Sequence, residues 1–200
     1  MTTNAGVGMS HHHSPSIAGH EAAEQALVQA DISKPDFVFM FATVGFDQRS
    51  LVRAVREATG EAPLCGCSAE GTINGDDADE SNFSVVVMAI SSKELRWRNG
   101  LATGLSTDSR AVGQRVAEAL SPEVSADTVG LFVFPDGFTT NGERLLAGLE
   151  GDLSDDRFIP IWGGAAGDNL AVIQSYQYCD DEVVSDGVAY ALLSGEAQPN

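Results

Sequence analysis

Few side chains in this chain have the types and spacing to do chemistry. Gly66-Cys67-Ser68-Ala69-Glu70-Gly71 puts a thiol, a hydroxyl and a carboxylate into one run of small residues. A thiol or hydroxyl becomes a nucleophile only when a base draws off its proton. His20 is the sole histidine beyond the first fifteen residues, and no Asp or Glu obviously orients it. A catalytic Cys67 is therefore disfavoured and no enzymatic activity is expected. No P-loop, G-x-S-x-G elbow, H-E-x-x-H or EF-hand spacing occurs either.

A second run, Gly163-Gly164-Ala165-Ala166-Gly167-Asp168-Asn169, has no nucleophile and closes on a carboxylate and an amide. Small side chains let backbone approach a bound molecule and leave N–H groups to donate. The same residues also make tight turns under helices, and the sequence leaves the two readings level. Pro135-Asp136-Gly137-Phe138-Thr139-Thr140-Asn141 is rich in donors and acceptors. It is equally ordinary turn chemistry, with Thr139 or Thr140 as the N-cap of a following helix.

The elements that must position these loops show in the apolar pattern. Residues 1–15 are small and polar and are expected to form a mobile tail, in which His11, His12 and His13 are incidental and not a metal site. Ile17, Ala18, Glu21, Ala22, Gln25 and Ala26 fall at helical spacing. Phe37–Ala42 (FVFMFA) is a continuous apolar run of the kind a buried strand shows. Leu51, Val52, Val55 and Ala58 mark a second helix; Pro63–Cys65 and Phe83–Ile90 are strands, Asp76–Asn82 an acidic loop, and Leu95–Leu105 a further strand.

The same order then returns. Ala18-Gly19 through Leu27 matches Val112-Gly113 through Leu120, Phe37–Phe41 matches Gly130–Phe134, and Gly45-Phe46 matches Gly137-Phe138. Pro63–Ala69 matches Pro160–Ala166. The pattern reads as two copies, about 16–92 and 107–195, of a helix-strand-helix-strand-strand unit, with an extra strand over Ile173–Tyr178. The fold class is α/β: a mixed β-sheet packed with helices, because consecutive strands without a helix between them exclude an all-parallel sheet. Units of this size are marginal alone, so they should share a core, and their equivalent loops should meet at a cleft.

Charge narrows the partners. Asp and Glu number 29 against 11 Lys and Arg, a net charge of −18, so phosphate backbones and anionic membrane surfaces are repelled. Neither nucleic acid nor membrane is an expected partner. A mean hydropathy of −0.04 suits a globular protein. Three cysteines, Cys65, Cys67 and Cys179, with no C-x-x-C spacing, indicate neither a disulfide framework nor a zinc ribbon. No apolar run reaches 18 residues and no secretory leader pattern opens the chain, so a cytoplasmic location is expected.

The helix AGHEAAEQAL (Ala18–Leu27), the strand DFVFMFA (Asp36–Ala42), PLCGCSAEG (Pro63–Gly71), SVVVMAI (Ser84–Ile90), PIWGGAAGDN (Pro160–Asn169) and DGVAYALLSG (Asp186–Gly195) together resemble the N-terminal domain of FIST proteins, named for F-box and intracellular signal transduction. The resemblance spans nearly all of residues 16–195. It implies a prokaryotic sensory domain that binds a small ligand such as an amino acid and reports to a separate signalling protein, for example a kinase or a cyclic-dinucleotide enzyme. Family members usually continue into a second, C-terminal region. Ligand contact is expected from Cys67, Ser68 and Glu70 of one half, and from Asp136, Phe138, Gly163, Gly164 and Asp168 of the other. No cofactor is expected. The alternative implied by similarity of some members to nitric oxide sensors is haem, for which His20 is the axial ligand by elimination. With so few basic side chains, an amine-bearing ligand is accommodated more easily than an anion.

Overall fold

The computed structural model describes residues 3–75, 77–153 and 158–196. The chain starts on a strand, β1 (Thr3–Ser10), followed by α1 (Pro15–Ala30), β2 (Phe37–Ala42), α2 (Gln48–Ala58) and β3 (Leu64–Ser68). A small hairpin, β4 (Thr72–Asn74) and β5 (Asp77–Asp79), leads to β6 (Val85–Ser92). Then come β7 (Leu95–Thr103), α3 (Leu105–Leu120), β8 (Thr128–Pro135), α4 (Gly142–Leu153) and β9 (Ile161–Gly163). A second hairpin, β10 (Gln177–Cys179) and β11 (Glu182–Val184), precedes β12 (Gly187–Gly195).

The tail expected over residues 1–15 is thus corrected: most of it is an edge strand. Gly6 and Gly8 read as flexible in the sequence, yet they are what lets α1 lie close on β1. A Cβ on Gly6 would stand 2.2 Å from the Ala26 carbonyl oxygen, and one on Gly8 2.0 Å from that of Ala22. The helix face they meet is alanine, with Ala18, Ala22, Ala23 and Ala26 fully buried. The histidines are held too: His11 Nδ1 lies 2.7 Å from Asp79 Oδ2, and the His13 ring stacks on Phe83 at 4.5 Å.

The expectation of mixed sheet with helices on it holds, but there are two such sheets. The first runs β1-β6-β2-β3-β10-β11 and the second β7-β12-β8-β9. Their connectivity agrees. In each, an edge strand (β1, β7) pairs antiparallel with the strand that closes its half (β6, β12). That strand pairs antiparallel with β2 or β8, which pairs parallel with β3 or β9. The extra feature of the second half, β10–β11, crosses over and joins the first sheet by pairing antiparallel with β3.

Side-chain alternation gives the layering. Val38, Met40, Val85 and Val87 face α1 and α2, whereas Leu131, Val133, Val188 and Leu192 face α3 and α4. The opposite phase of the same strands forms a third core between the sheets: Phe37, Phe39, Cys65, Ile90, Phe134, Ala189 and Ala191. Phe37 stacks on Trp97 at 4.4 Å, and Phe39 meets Phe134 edge-on at 6.1 Å. Helices therefore lie outside and aromatic strands inside, so the loops leaving β2, β3, β8 and β9 emerge where the two sheets face one another. Among the described residues no helix is long and apolar enough to cross a membrane.

Candidate functional site

At that mouth lies a cleft of about 420 Å³. Phe41, Cys67, Ser68, Ala69 and Glu70 line it from the first half. Phe134, Gly137, Phe138 and Gly164–Gly167 line it from the second. The two small-residue loops do meet here, and Ser68 is the joint. Its hydroxyl donates to the Gly167 carbonyl (2.6 Å) and accepts from the Tyr176 N–H (2.8 Å). Its backbone N–H donates to the Tyr176 carbonyl (2.8 Å), and its carbonyl accepts from the Gly167 N–H (3.0 Å). Ser68 is wholly buried, so its side chain holds the halves together and presents no free hydroxyl to the cleft.

The strands run further than the sequence suggested. Gly66, Cys67 and Ser68 belong to β3, and Gly163 to β9. Glycine is required at the centre of β3 and at the end of β9: a Cβ on Gly66 would fall 1.8 Å from the Met40 carbonyl oxygen, and one on Gly163 1.8 Å from that of Val133. Gly163 also sits at φ +146°, a conformation side chains resist.

Cys67 and Cys65, two apart on β3, both point between the sheets. Burial pushes the Cys67 thiol up to about 12, which leaves it protonated at neutral pH. Glu70 stands exposed at the rim and accepts a hydrogen bond from the Leu170 N–H at 2.5 Å. Phe138 reaches the cleft from the β8–α4 loop with 46% of its surface exposed. Gly164 lines the cleft, but Gly163 faces a neighbouring cavity.

Asp136 and Asp168 are not cleft residues. Asp136 is buried and accepts from the N–H groups of Phe138 (2.9 Å) and Thr139 (3.0 Å), with the Ser175 hydroxyl (2.9 Å) on its other oxygen. Asp168 accepts from the N–H groups of Val172 (3.0 Å), Ile173 (2.5 Å) and Gln174 (3.0 Å). Burial raises the pKa of both carboxyls, yet the converging N–H donors outweigh it and hold each below the ordinary carboxylate value. Each carboxylate ties a loop that shapes the cleft. The Asx-turn signal was present, since a short carboxylate just ahead of irregular backbone tends to bond that backbone. Phe41 and Phe134 also line the cleft, although the apolar runs they belong to mark them as strand residues and nothing more. They end inward-facing phases of β2 and β8, which brings them to the cleft wall.

The neighbouring cavity, about 520 Å³, opens between the sheets beside β9. Met88, Trp97, Phe132, Trp162 and Ile73 line it, and it shares Phe41 and Phe134 with the cleft. Those two rings meet edge-on at 5.2 Å. His20 joins neither cavity. It lies on α1, with Nδ1 2.9 Å from the Ser16 carbonyl. The phase of the first sheet facing α1 (Val85, Val87) is opposite to the phase that lines the apolar cavity (Val86, Met88). A haem needs an apolar slot and an imidazole on the same side, and the chain separates them, so His20 does not fit that group. Among the described residues no three His, Cys, Asp or Glu side chains converge as metal ligands.

A family model, the FIST N domain, matches residues 36–199. No curated protein matches the chain. Among solved structures, a cyanuric acid hydrolase described as an evolutionary innovation by structural concatenation superposes with a TM-score of 0.48 at 13% identity. That match covers 96% of this chain and 69% of the hydrolase. The cyanuric acid hydrolase of A. caulinodans gives a TM-score of 0.45 at 12% identity, covering 98% of this chain and 72% of that one. The chain belongs to the FIST family, and its residues 36–199 form a sensory domain of signal transduction.

Proposed function

From a FIST N domain with this cleft at the joint of its halves, we propose a non-catalytic sensor of a small amine-bearing ligand such as an amino acid. The observation that carries the reading is the cleft's lining: one carboxylate, Glu70, three phenylalanine rings, Phe41, Phe134 and Phe138, and otherwise small residues and backbone. A cationic amine is attracted to Glu70 and to the faces of exposed rings. The ligand's apolar part packs on the rings, and any carboxylate it carries meets backbone N–H groups, the only donors small residues supply. A volume of about 420 Å³ suits a molecule of that size.

Two features favour sensing over catalysis. The Cys67 thiol is protonated and buried, and the Ser68 proton is committed to the Gly167 carbonyl, so neither side chain has the base a nucleophile needs. The signal then passes to a separate protein, such as a kinase or a cyclic-dinucleotide enzyme.

Isothermal titration with the twenty amino acids and a set of di- and polyamines tests the reading. Glu70→Gln should weaken binding of any ligand found by about tenfold, the usual scale for one charged contact. Phe138→Ala should weaken it by a similar factor with no change in fold. Absence of heat from every amine, or binding indifferent to both substitutions, overturns the proposal.

A further inference from the structure

β10 comes over from the second half to lie on β3, and its register sets two of the three thiols face to face. Cys179 stands directly opposite Cys65, Tyr178 opposite Gly66 and Gln177 opposite Cys67. Antiparallel rungs alternate between hydrogen-bonded and non-hydrogen-bonded pairs. The Asp180 N–H donates to the Leu64 carbonyl at 3.0 Å, and the Ser68 N–H to the Tyr176 carbonyl at 2.8 Å. Those two rungs are hydrogen-bonded, so alternation makes Cys65–Cys179 a non-hydrogen-bonded rung, the kind whose Cα atoms approach to about 4.5 Å. That spacing falls inside the range of about 4.4–6.8 Å that a disulfide spans. Residues on one rung share a face, so both thiols look between the sheets, Cys65 fully buried and Cys179 8% exposed. Asn99 of β7 pins the next rung: its Nδ2 donates to the Leu64 carbonyl (3.0 Å) and to Asp180 Oδ1 (2.9 Å), and lies 3.5 Å from Cys179 Sγ. Cys67 is badly placed for either partner. It lies two residues along β3 from Cys65, about 6.6 Å away with a parallel Cβ bond, whereas a disulfide needs Cβ atoms about 3.5–4.5 Å apart. It is diagonal to Cys179, at about 7–8 Å.

All three cysteines are free thiols. We infer that Cys65 and Cys179 close into a disulfide when the chain folds beside a small-molecule disulfide, stapling β10 of the second half onto β3 of the first. The step is thiol–disulfide exchange. One cysteine thiolate attacks the reagent's S–S bond, giving a mixed disulfide and one small thiol. The other thiolate attacks the protein sulfur of that mixed disulfide and expels the second small thiol. The two cysteine protons end on the two small thiols, and two electrons pass to the reagent. Folding is when this happens. In the assembled chain burial holds both thiols protonated and out of reach, whereas in the unfolded chain they react as ordinary cysteines. Docking of β10 then brings the second sulfur onto the first. The redox conditions met during folding are thereby kept in the folded chain, on the strand pair that also carries the joint between Ser68 and Tyr176.

To test this, the full chain is unfolded in urea with its thiols reduced, refolded by dilution into reduced and oxidised glutathione, quenched with acid and mapped by peptide mass. The expected result is a peptide pair joining Cys65 to Cys179 and lacking two hydrogens, with Cys67 recovered as a thiol. The link closes a loop of over one hundred residues, so the oxidised chain should unfold at a urea midpoint about 1–2 M above the reduced chain. The same chain held in urea throughout should show no preference for this pair, because the register that selects it is missing. Cys67→Ser should keep both the link and the gain in midpoint, and Cys179→Ser should abolish both. Links through Cys67, glutathione adducts in place of the link, an equal yield of the link in urea, or an oxidised midpoint no higher than the reduced one each overturn the inference. The parent chain in its two redox states supplies those readings, so they stand even where a variant fails to fold.

Discussion

Replacing Ser68 by alanine should loosen the joint between the halves without disturbing any apolar packing. The hydroxyl is the acceptor for one backbone N–H, that of Tyr176, and the donor to one carbonyl, that of Gly167. Alanine removes both bonds, each contributing about 1 kcal/mol net. It also leaves a buried N–H and a buried carbonyl in a space the size of one oxygen. Stranding such groups costs about 1–3 kcal/mol each. The two backbone bonds of Ser68 survive and keep the carbonyl of Gly167 near its place, which limits the loss. Because the stranding cost already contains the loss of each bond, the two groups at about 1.5 kcal/mol each give about 3 kcal/mol, a large share of the roughly 5–15 kcal/mol by which a domain is stable. Urea unfolding followed by tryptophan fluorescence reads it, because both tryptophans, Trp97 and Trp162, line the space between the sheets. With a slope of about 2 kcal/mol/M the midpoint should fall by about 1.5 M. Ser68→Cys, which keeps a weak donor and acceptor, should fall in between. A midpoint within about 0.3 M of the parent at unchanged slope would show that Ser68 is not the joint.

Two further outcomes rest on titrating groups. Asp136 and Asp168 sit below their ordinary value when folded because backbone N–H groups hold the charged form against the opposing effect of burial. Their contribution is full above the unfolded value near pH 4 and is lost as the pH falls through the lower folded value; Asp168→Asn should remove part of the acid-induced drop in urea midpoint, and an identical pH profile for both proteins would refute the assignment. Burial raises all three thiols, with Cys67 and Cys179 at about 12, so iodoacetamide at pH 8 should label none of them before global unfolding. One rapidly labelled cysteine in the native protein would contradict the packing between the sheets.

The apolar runs were the legible part of the fold. FVFMFA is β2 to the residue, and Leu51, Val52 and Val55 are the buried face of α2. Periodicity finds such elements because burial on a strand or helix face leaves a regular trace. β1 escaped it because Gly6 and Gly8 are buried without side chains, so packing leaves no apolar signature. Pairing between strands far apart in the chain is invisible to local pattern, which is why one mixed sheet was expected where two face each other. In the site, the small-residue loops were legible as loops that meet. The roles of Asp136 and Asp168 were not. A carboxylate's type does not say whether it faces a ligand or its own backbone, and here the N–H groups two to six residues on decide it.

The pairing of β10 with β3 has a consequence for how the chain is made. Residues 64–68 have no partner on one flank until residues 177–179 exist. During synthesis at about 5–20 residues per second, the β3 edge and the aromatic face of the first sheet wait several seconds for their cover. A nascent first half is thus a sheet with an open edge and a wet core, the state in which chains associate wrongly. Slowing elongation between the halves should lower the yield of soluble protein more than slowing it after residue 179.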